Sequence, residues 1–451
     1  MKKSGYGNIR GRRFFVLPVC APVFLAALVS CATGSFAKVD NAVSREDFLG
    51  GAGILEASKS SYYTNRDTIL YYLDKGMLTH YAGLYGESSR LLEEGERAIE
   101  AAFTKSLTME IGTYLLNDNV REYAGEDYED IYINAFNALN YYHRGDLEGA
   151  LVEIRRMNNK ARYLADKYGV VLTSLQKKAL EESAVLPPVP PPDANAPSNF
   201  TDSALARYLG MLFYRGAGHP DDARIDRDRL QVIFANSPNL YPHPVPSSVR
   251  EEGEIPPGMA RLNVLAFSGL SPVKEEVMLR IFLSGSRWIK IVLPEMVSRR
   301  SEVGKIEVVF DDGRTFALEL LEDIEAVAGE TFKERKNVIY IKTIIRSAMK
   351  SATSAVLDAA SEEAEGNMGI ALGVLSILTQ VYAEASEQAD LRISRYFPAK
   401  AWVGGINLEP GIYSFRVNYY GHSGRPLVSL EYNDMTIREG ALNLTEAVCL
   451  K

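Results

Sequence analysis

The segment EDIYINAFNALNYYHRGDLEGALVEIRRMNNKARYLADKYG, residues 129–169, reads as two helices joined by a turn. Ile131, Ala135, Ala138 and Tyr142 fall at i, i+4, i+7 and i+11, which is one face of an amphipathic helix. Leu147, Leu151, Ile154, Ala161 and Leu164 then share a face of a second helix. Gly145-Asp146 lies between them, the glycine suited to a tight turn and the aspartate to capping the helix that follows. Two apolar stripes joined this tightly predict an antiparallel helix pair.

The arrangement recurs on both sides. DTILYYLDKGMLTHYAGLYGESSRLLEEGERAIEAAF (67–103) turns at Gly83-Leu84-Tyr85, and ALARYLGMLFYRGAGHPDDARIDRDRLQVIF (204–234) turns at Gly218-His219-Pro220. With the turn glycines in register, Ser88, Ala150 and Ala223 align five residues later, and Leu92, Ile154 and Arg227 nine residues later. Thr79, Tyr141 and Tyr214 align four residues before the turn. These features resemble tetratricopeptide (TPR) repeats, in which a small residue in the second helix lets the pair approach closely. The turns are 62 and 73 positions apart, against about 34 in a regular array. Three TPR-like hairpins are therefore expected rather than a continuous superhelix, with a general helical bundle as the alternative. The resemblance implies that the first helix of each pair lines a concave face. It places His80, Tyr81, Tyr132, Tyr142, His143, Tyr208 and Arg215 there as a partner-binding groove, and Tyr and Arg are side chains that dominate binding energy.

Two proline clusters punctuate the chain. AVLPPVPPPDANAPSN (184–199) and NSPNLYPHPVPSSVREEGEIPPG (236–258) hold six prolines each, which excludes helix interior and central strand. The expected division is a helical domain over 31–245 with a Pro-rich loop at 184–199, a linker at 246–258, and a β-rich domain over 259–451. In that last part the apolar period changes to two. VMLRIFLS (277–284), KIEVVFDDGRTFALELLED turning at Asp312-Gly313, and GIYSFRVNYYG after Pro410-Gly411 alternate as strands. RPLVSLEYND and MTIREGALNL add shorter ones, and together they predict a β-sandwich-like domain. A helical insertion is expected at about 337–395. It holds an apolar stripe from Ile341 to Ala359 and the uncharged run GNMGIALGVLSILTQVYA (366–383), read as a buried helix. The fold class is thus α+β, helices first and strands after.

The N-terminus carries Lys2, Lys3, Arg10, Arg12 and Arg13, followed by the apolar stretch FFVLPVCAPVFLAALV (14–29). That is the layout of a secretory signal over 1–30. Leu28, Ser30 and Cys31 resemble the lipobox of bacterial lipoproteins, which implies cleavage before Cys31 and acylation of its sulfur and new amino terminus. Loss of the five signal bases would leave 45 basic against 58 acidic residues, a balance that argues against nucleic acid as a partner and against electrostatic binding of the chain to anionic lipid. Of three cysteines, Cys20 falls in the signal and Cys31 under lipid, which leaves Cys449 without an intrachain disulfide partner.

Motifs for chemistry are sparse. The five histidines show no metal-ligand spacing. Gly421-His422-Ser423-Gly424 breaks the nucleophile-elbow pattern. Two Ser-x-x-Lys matches, Ser271–Lys274 and Ser347–Lys350, lack a Lys-Thr-Gly partner. No cofactor, metal or small-molecule substrate is expected, and an enzyme is not.

Cys31, the hairpins, GLSPVKEE (269–276), the Ala-rich helix, and ADLRISRYFPAKAW with LEPGIYSFRV resemble a family of bacterial TPR-containing lipoproteins of unassigned activity. Members of that family often appear beside lipoproteins resembling penicillin-binding-protein activators, which implies a role in the envelope. The expected function is a lipid-anchored adaptor facing the periplasm that binds a protein partner through its TPR-like helices. A structural part of a membrane or secretion assembly and a wall-polymer hydrolase are the alternatives.

Overall fold

The computed structural model describes residues 36–108, 121–181, 200–283, 287–363 and 388–451. Cys31, the loop 184–199 and the uncharged run 366–383 lie outside the described residues. The chain is α+β, with N-terminal helices followed by strands.

Three hairpins form as the spacing predicts: α4 (Thr68–Tyr81) with α5 (Tyr85–Thr108), α6 (Asp127–His143) with α7 (Leu147–Glu181), and α8 (Ala204–Gly216) with α9 (Pro220–Asn236). Gly83, Gly145 and Gly218 occupy the left-handed region at φ 76°, 79° and 80°, where a Cβ would be strained. Ser88 and Ala150 are fully buried between paired helices, and Ser88 Oγ donates to Gly76 O at 2.8 Å. In front of the hairpins stand α1 (Ala37–Ser44), α2 (Phe48–Ala57), α3 (Lys59–Tyr62) and a 3-10 turn at Asn65–Asp67.

Among the described residues, ten strands follow the short helix α10 (Ser247–Glu251): β1 (Ala260–Ser268), β2 (Val273–Leu283), β3 (Arg287–Val297), β4 (Val303–Phe310), β5 (Thr315–Ala317), β6 (Glu319–Asp323), β7 (Lys400–Leu408), β8 (Gly411–Gly421), β9 (Pro426–Ile437) and β10 (Asn443–Cys449). One sheet has the order β10-β1-β7-β6, with β1 parallel to β10 and antiparallel to β7. A second has the order β5-β4-β8-β9, and β2-β3 forms a separate two-stranded hairpin. Between β6 and β7 runs α11 (Ile324–Glu363). The helical insertion therefore starts at Ile324, not near 337, and the chain returns through Gln388–Ala399.

The first sheet is the middle of three layers. Every residue of β1 is buried. Leu265 and Phe267 join the helices' core, whereas Leu262, Val264 and Ala266 join Phe310, Phe415, Val417 and Tyr419 of the second sheet. The boundary expected at 246–258 is consequently not a bare linker. Within it α10 buries Val249, and Glu252 is 5 % exposed. Cys449 closes the sandwich core, and burial pushes its thiol up to about 11, so it is held protonated.

Candidate functional site

The seven residues expected to line an open groove do share one side of α4, α6 and α8, but the chain's own middle sheet and its flanking loops cover it. This corrects the reading of that side as a free binding surface. The cause is the middle sheet's second apolar face, built on Leu265, Phe267, Val403 and Leu444, which must be removed from water and finds the helices.

Six of the seven become polar contacts across this seam, and Tyr208 is buried. His80 Nε2 lies 2.7 Å from Glu446 Oε1 on β10, and its Nδ1 lies 2.7 Å from Asn140 Oδ1. His143 Nε2 reaches Glu446 Oε2 at 3.0 Å, with its ring stacked on Tyr85 at 4.3 Å. Tyr81 Oη donates to the Tyr396 carbonyl at 3.0 Å. Tyr142 Oη accepts from Leu444 N at 3.1 Å, and its ring stacks on Phe213 at 5.7 Å. Tyr132 Oη donates to Glu322 of β6. Tyr208 is wholly buried, and Arg215 pairs with Glu252.

Glu322 and Glu446, the partners in these contacts, are not visible as site residues in the sequence. Glu322 has no exposed surface. It accepts from Tyr132 Oη, from Ser203 Oγ at 2.8 Å, from Leu205 N at 2.9 Å and from Tyr241 Oη at 3.0 Å. Ser203 in turn caps α8 through Ala206 N at 3.1 Å, so a strand carboxylate sits at a helix N-terminus, where the helix dipole favours it. Burial raises the Glu322 carboxyl above its usual range, opposed first by the Tyr132 hydrogen bond. At Glu446 burial also acts upward, but the His80 charge and the hydrogen bonds from His143 and His80 hold it down to about 2.

A third polar cluster lies at the start of α6. Glu129 accepts from Tyr123 Oη at 2.7 Å, Glu126 N at 2.8 Å and Ser394 N at 2.6 Å. Burial, with the neighbouring Glu126 charge, raises its carboxyl to about 7. Lys274, the lysine of the first Ser-x-x-Lys match, is buried and ion-paired with Glu126, and it donates to the Arg392 carbonyl at 3.0 Å. Ser271 Oγ instead accepts from Tyr128 Oη at 3.3 Å. Serine and lysine thus have separate structural partners.

Beside this cluster a cavity of about 440 Å³ opens between α5, the loop before α6, α7, α11 and β2. Ile99, Ala102, Phe103, Val338 and Ile339 form an apolar part of its wall, and among the described residues basic side chains outnumber carboxylates on the remainder. Among the described residues no group of three or more His, Cys, Asp or Glu is placed to hold a metal ion, and no helix is long and apolar enough to cross a membrane. Comparison with protein-family models, curated proteins and solved structures finds no match for this chain.

Proposed function

We propose that the protein is a lipid-anchored component of the bacterial envelope that works by binding a protein partner, and that it presents its outer helices rather than the covered side. The observation that carries the surface is a repeated one. Val152 and Ile225 each stand seven residues after a turn glycine, on α7 and α9, and are 45 % and 49 % exposed. Tyr163 and Val232, on the same two helices, are also exposed. Equivalent positions of neighbouring hairpins thus offer large apolar side chains to solvent, as interaction surfaces do. The envelope placement rests on Leu28-Val29-Ser30-Cys31 and on the lipoprotein resemblance.

Two measurements test this. Cys31→Ala is expected to move the protein from the membrane to the soluble fraction after a salt wash, since stable anchoring needs the acyl chains. Quantitative retention of the variant would refute the tether. Val152→Glu combined with Ile225→Glu leaves the core untouched, so the thermal melt should not change. Crosslinked capture of the envelope partner seen with the unaltered chain should fall about tenfold, equivalent to about 1.4 kcal/mol. Full capture by the folded double variant would remove the outer helices from the account.

A further inference from the structure

We propose that the cavity between α5, α7 and α11 is a binding site for an amphiphilic anion, a phosphate or similar acidic head group carrying a short hydrocarbon body. The volume of about 440 Å³ suits a small ligand. Charge selects the head group. Among the described residues, seven basic side chains line the cavity against three carboxylates, Glu122, Glu126 and Asp390. The bases come from several elements: Lys105 from α5, Lys167 from α7, Lys274 from β2, and Arg335 and Lys342 from α11. Arg66 from the 3-10 turn and Arg121 from the loop before α6 complete the set. The surplus persists when Asp127, which holds Lys167 at 2.6 Å from beside the cavity, is added to the acids. Such convergence of like charge from separate elements raises the local concentration of anions.

The fold holds part of this charge in place. Glu126, with a side chain 1 % exposed, pairs with both Lys274 and Arg335, and so fixes one cation from the sheet and one from α11. Lys167 Nζ also lies 4.7 Å from the Phe103 ring centroid. This joins the basic and apolar parts of the wall. Ile99, Phe103, Val338 and Ile339 supply an apolar surface that a bare inorganic anion would leave unused. A head group on the arginines and lysines, with its hydrocarbon against these four residues, satisfies both halves.

The test uses the full chain and calorimetric titration with four probes: n-octyl phosphate, inorganic phosphate, n-octyl glucoside and soluble dihexanoyl phosphatidylglycerol. Octyl phosphate is expected to bind at least about tenfold more tightly than either inorganic phosphate or octyl glucoside. Arg66→Glu with Lys342→Glu, at an exposed and a half-buried side chain, should weaken it by at least about tenfold without moving the melt. If the double variant melts early, Arg66→Glu alone carries the test with a smaller reduction. The control Lys305→Glu, on β4, should change nothing. Tighter binding of the phosphatidylglycerol than of octyl phosphate assigns the site to a lipid head group, and the reverse order to a free alkyl phosphate. Absence of octyl phosphate binding, equal binding of octyl glucoside, or full affinity in the folded charge variants would each overturn the proposal.

Discussion

Glu322→Ala is expected to destabilise the protein by at least about 4 kcal/mol, enough to remove most of the stability of an ordinary domain. The side chain is fully buried and receives hydrogen bonds from Tyr132, Ser203, Leu205 and Tyr241. Truncation leaves these donors in a dry seam, and a buried donor without a partner costs about 1–3 kcal/mol. It also removes the acceptor that holds β6 to the first turn of α8. Glu322→Gln keeps an acceptor oxygen and the shape, so it should lose no more than about half as much. Urea unfolding of the two variants beside the unaltered chain reads the difference. A loss under about 1 kcal/mol in Glu322→Ala would mean that the helices and the middle sheet do not depend on this contact.

The contrast between what was and was not legible in the sequence has physical causes. The three hairpins were readable because a turn glycine, a cap and a 3.6-residue apolar stripe are all local. β8 was readable over its full length, and β4–β5 around Asp312-Gly313, because alternation and turn chemistry marked them. β1 was not read. Both of its faces are buried, and ARLNVLAFS joins the buried polar residues Arg261 and Asn263 to the apolar run Val264–Phe267, so no regular alternation spans it. α2 was also missed, since FLGGAGILEA carries three glycines that disfavour helix. Packing of Phe48, Ala52 and Leu55, with the Asp47 side chain accepting from Gly50 N, overrides that preference.

The covered side shows the limit most clearly. His80, Tyr132 and Arg215 were expected to face an open groove, but nothing local states what faces them. The partner of His80 is 366 positions away, and that of Tyr132 is 190 positions away. A buried carboxylate such as Glu322 or Glu446 also looks like a surface charge when read alone. The cavity was invisible for the same reason, because its basic residues converge from positions 66 to 342. Tyr81, Tyr132 and Tyr142 at this internal seam serve the fold in the way tyrosines serve an intermolecular interface, by burying area while the hydroxyl is satisfied.

That seam also makes stability depend on pH in a defined direction. Burial lowers the His80 pKa, but the Glu446 charge and the hydrogen bonds to Glu446 and Asn140 outweigh it and leave it above 6.5. A raised histidine contributes stability below its unfolded pKa of 6.5 and loses it as pH rises through the folded value. Glu446 has the opposite sense. Held at about 2 against 4.5, it contributes above 4.5 and loses that contribution as pH falls toward 2. Both contributions are complete only between about 4.5 and 6.5. The groups facing the pair are Asn140, His143, Tyr81 and Tyr85, and burial raises both phenols, so neither supplies a competing charge in this window. Glu446→Gln is therefore expected to cost about 3 kcal/mol at pH 5.5, near the lower figure for breaking a buried pair. At pH 9, where His80 is closer to neutral in both proteins, the difference should shrink to about 1 kcal/mol, the worth of an ordinary hydrogen bond. Taking the difference between the two proteins at each pH cancels the titrating groups that do not face Glu446, and urea unfolding at the two values is sufficient. An equal difference at pH 5.5 and pH 9 would show that the seam holds neutral histidine throughout. His143→Ala provides the remaining check. It removes the more exposed of the two ring contacts to Glu446, so its effect on stability should be smaller than that of Glu446→Gln.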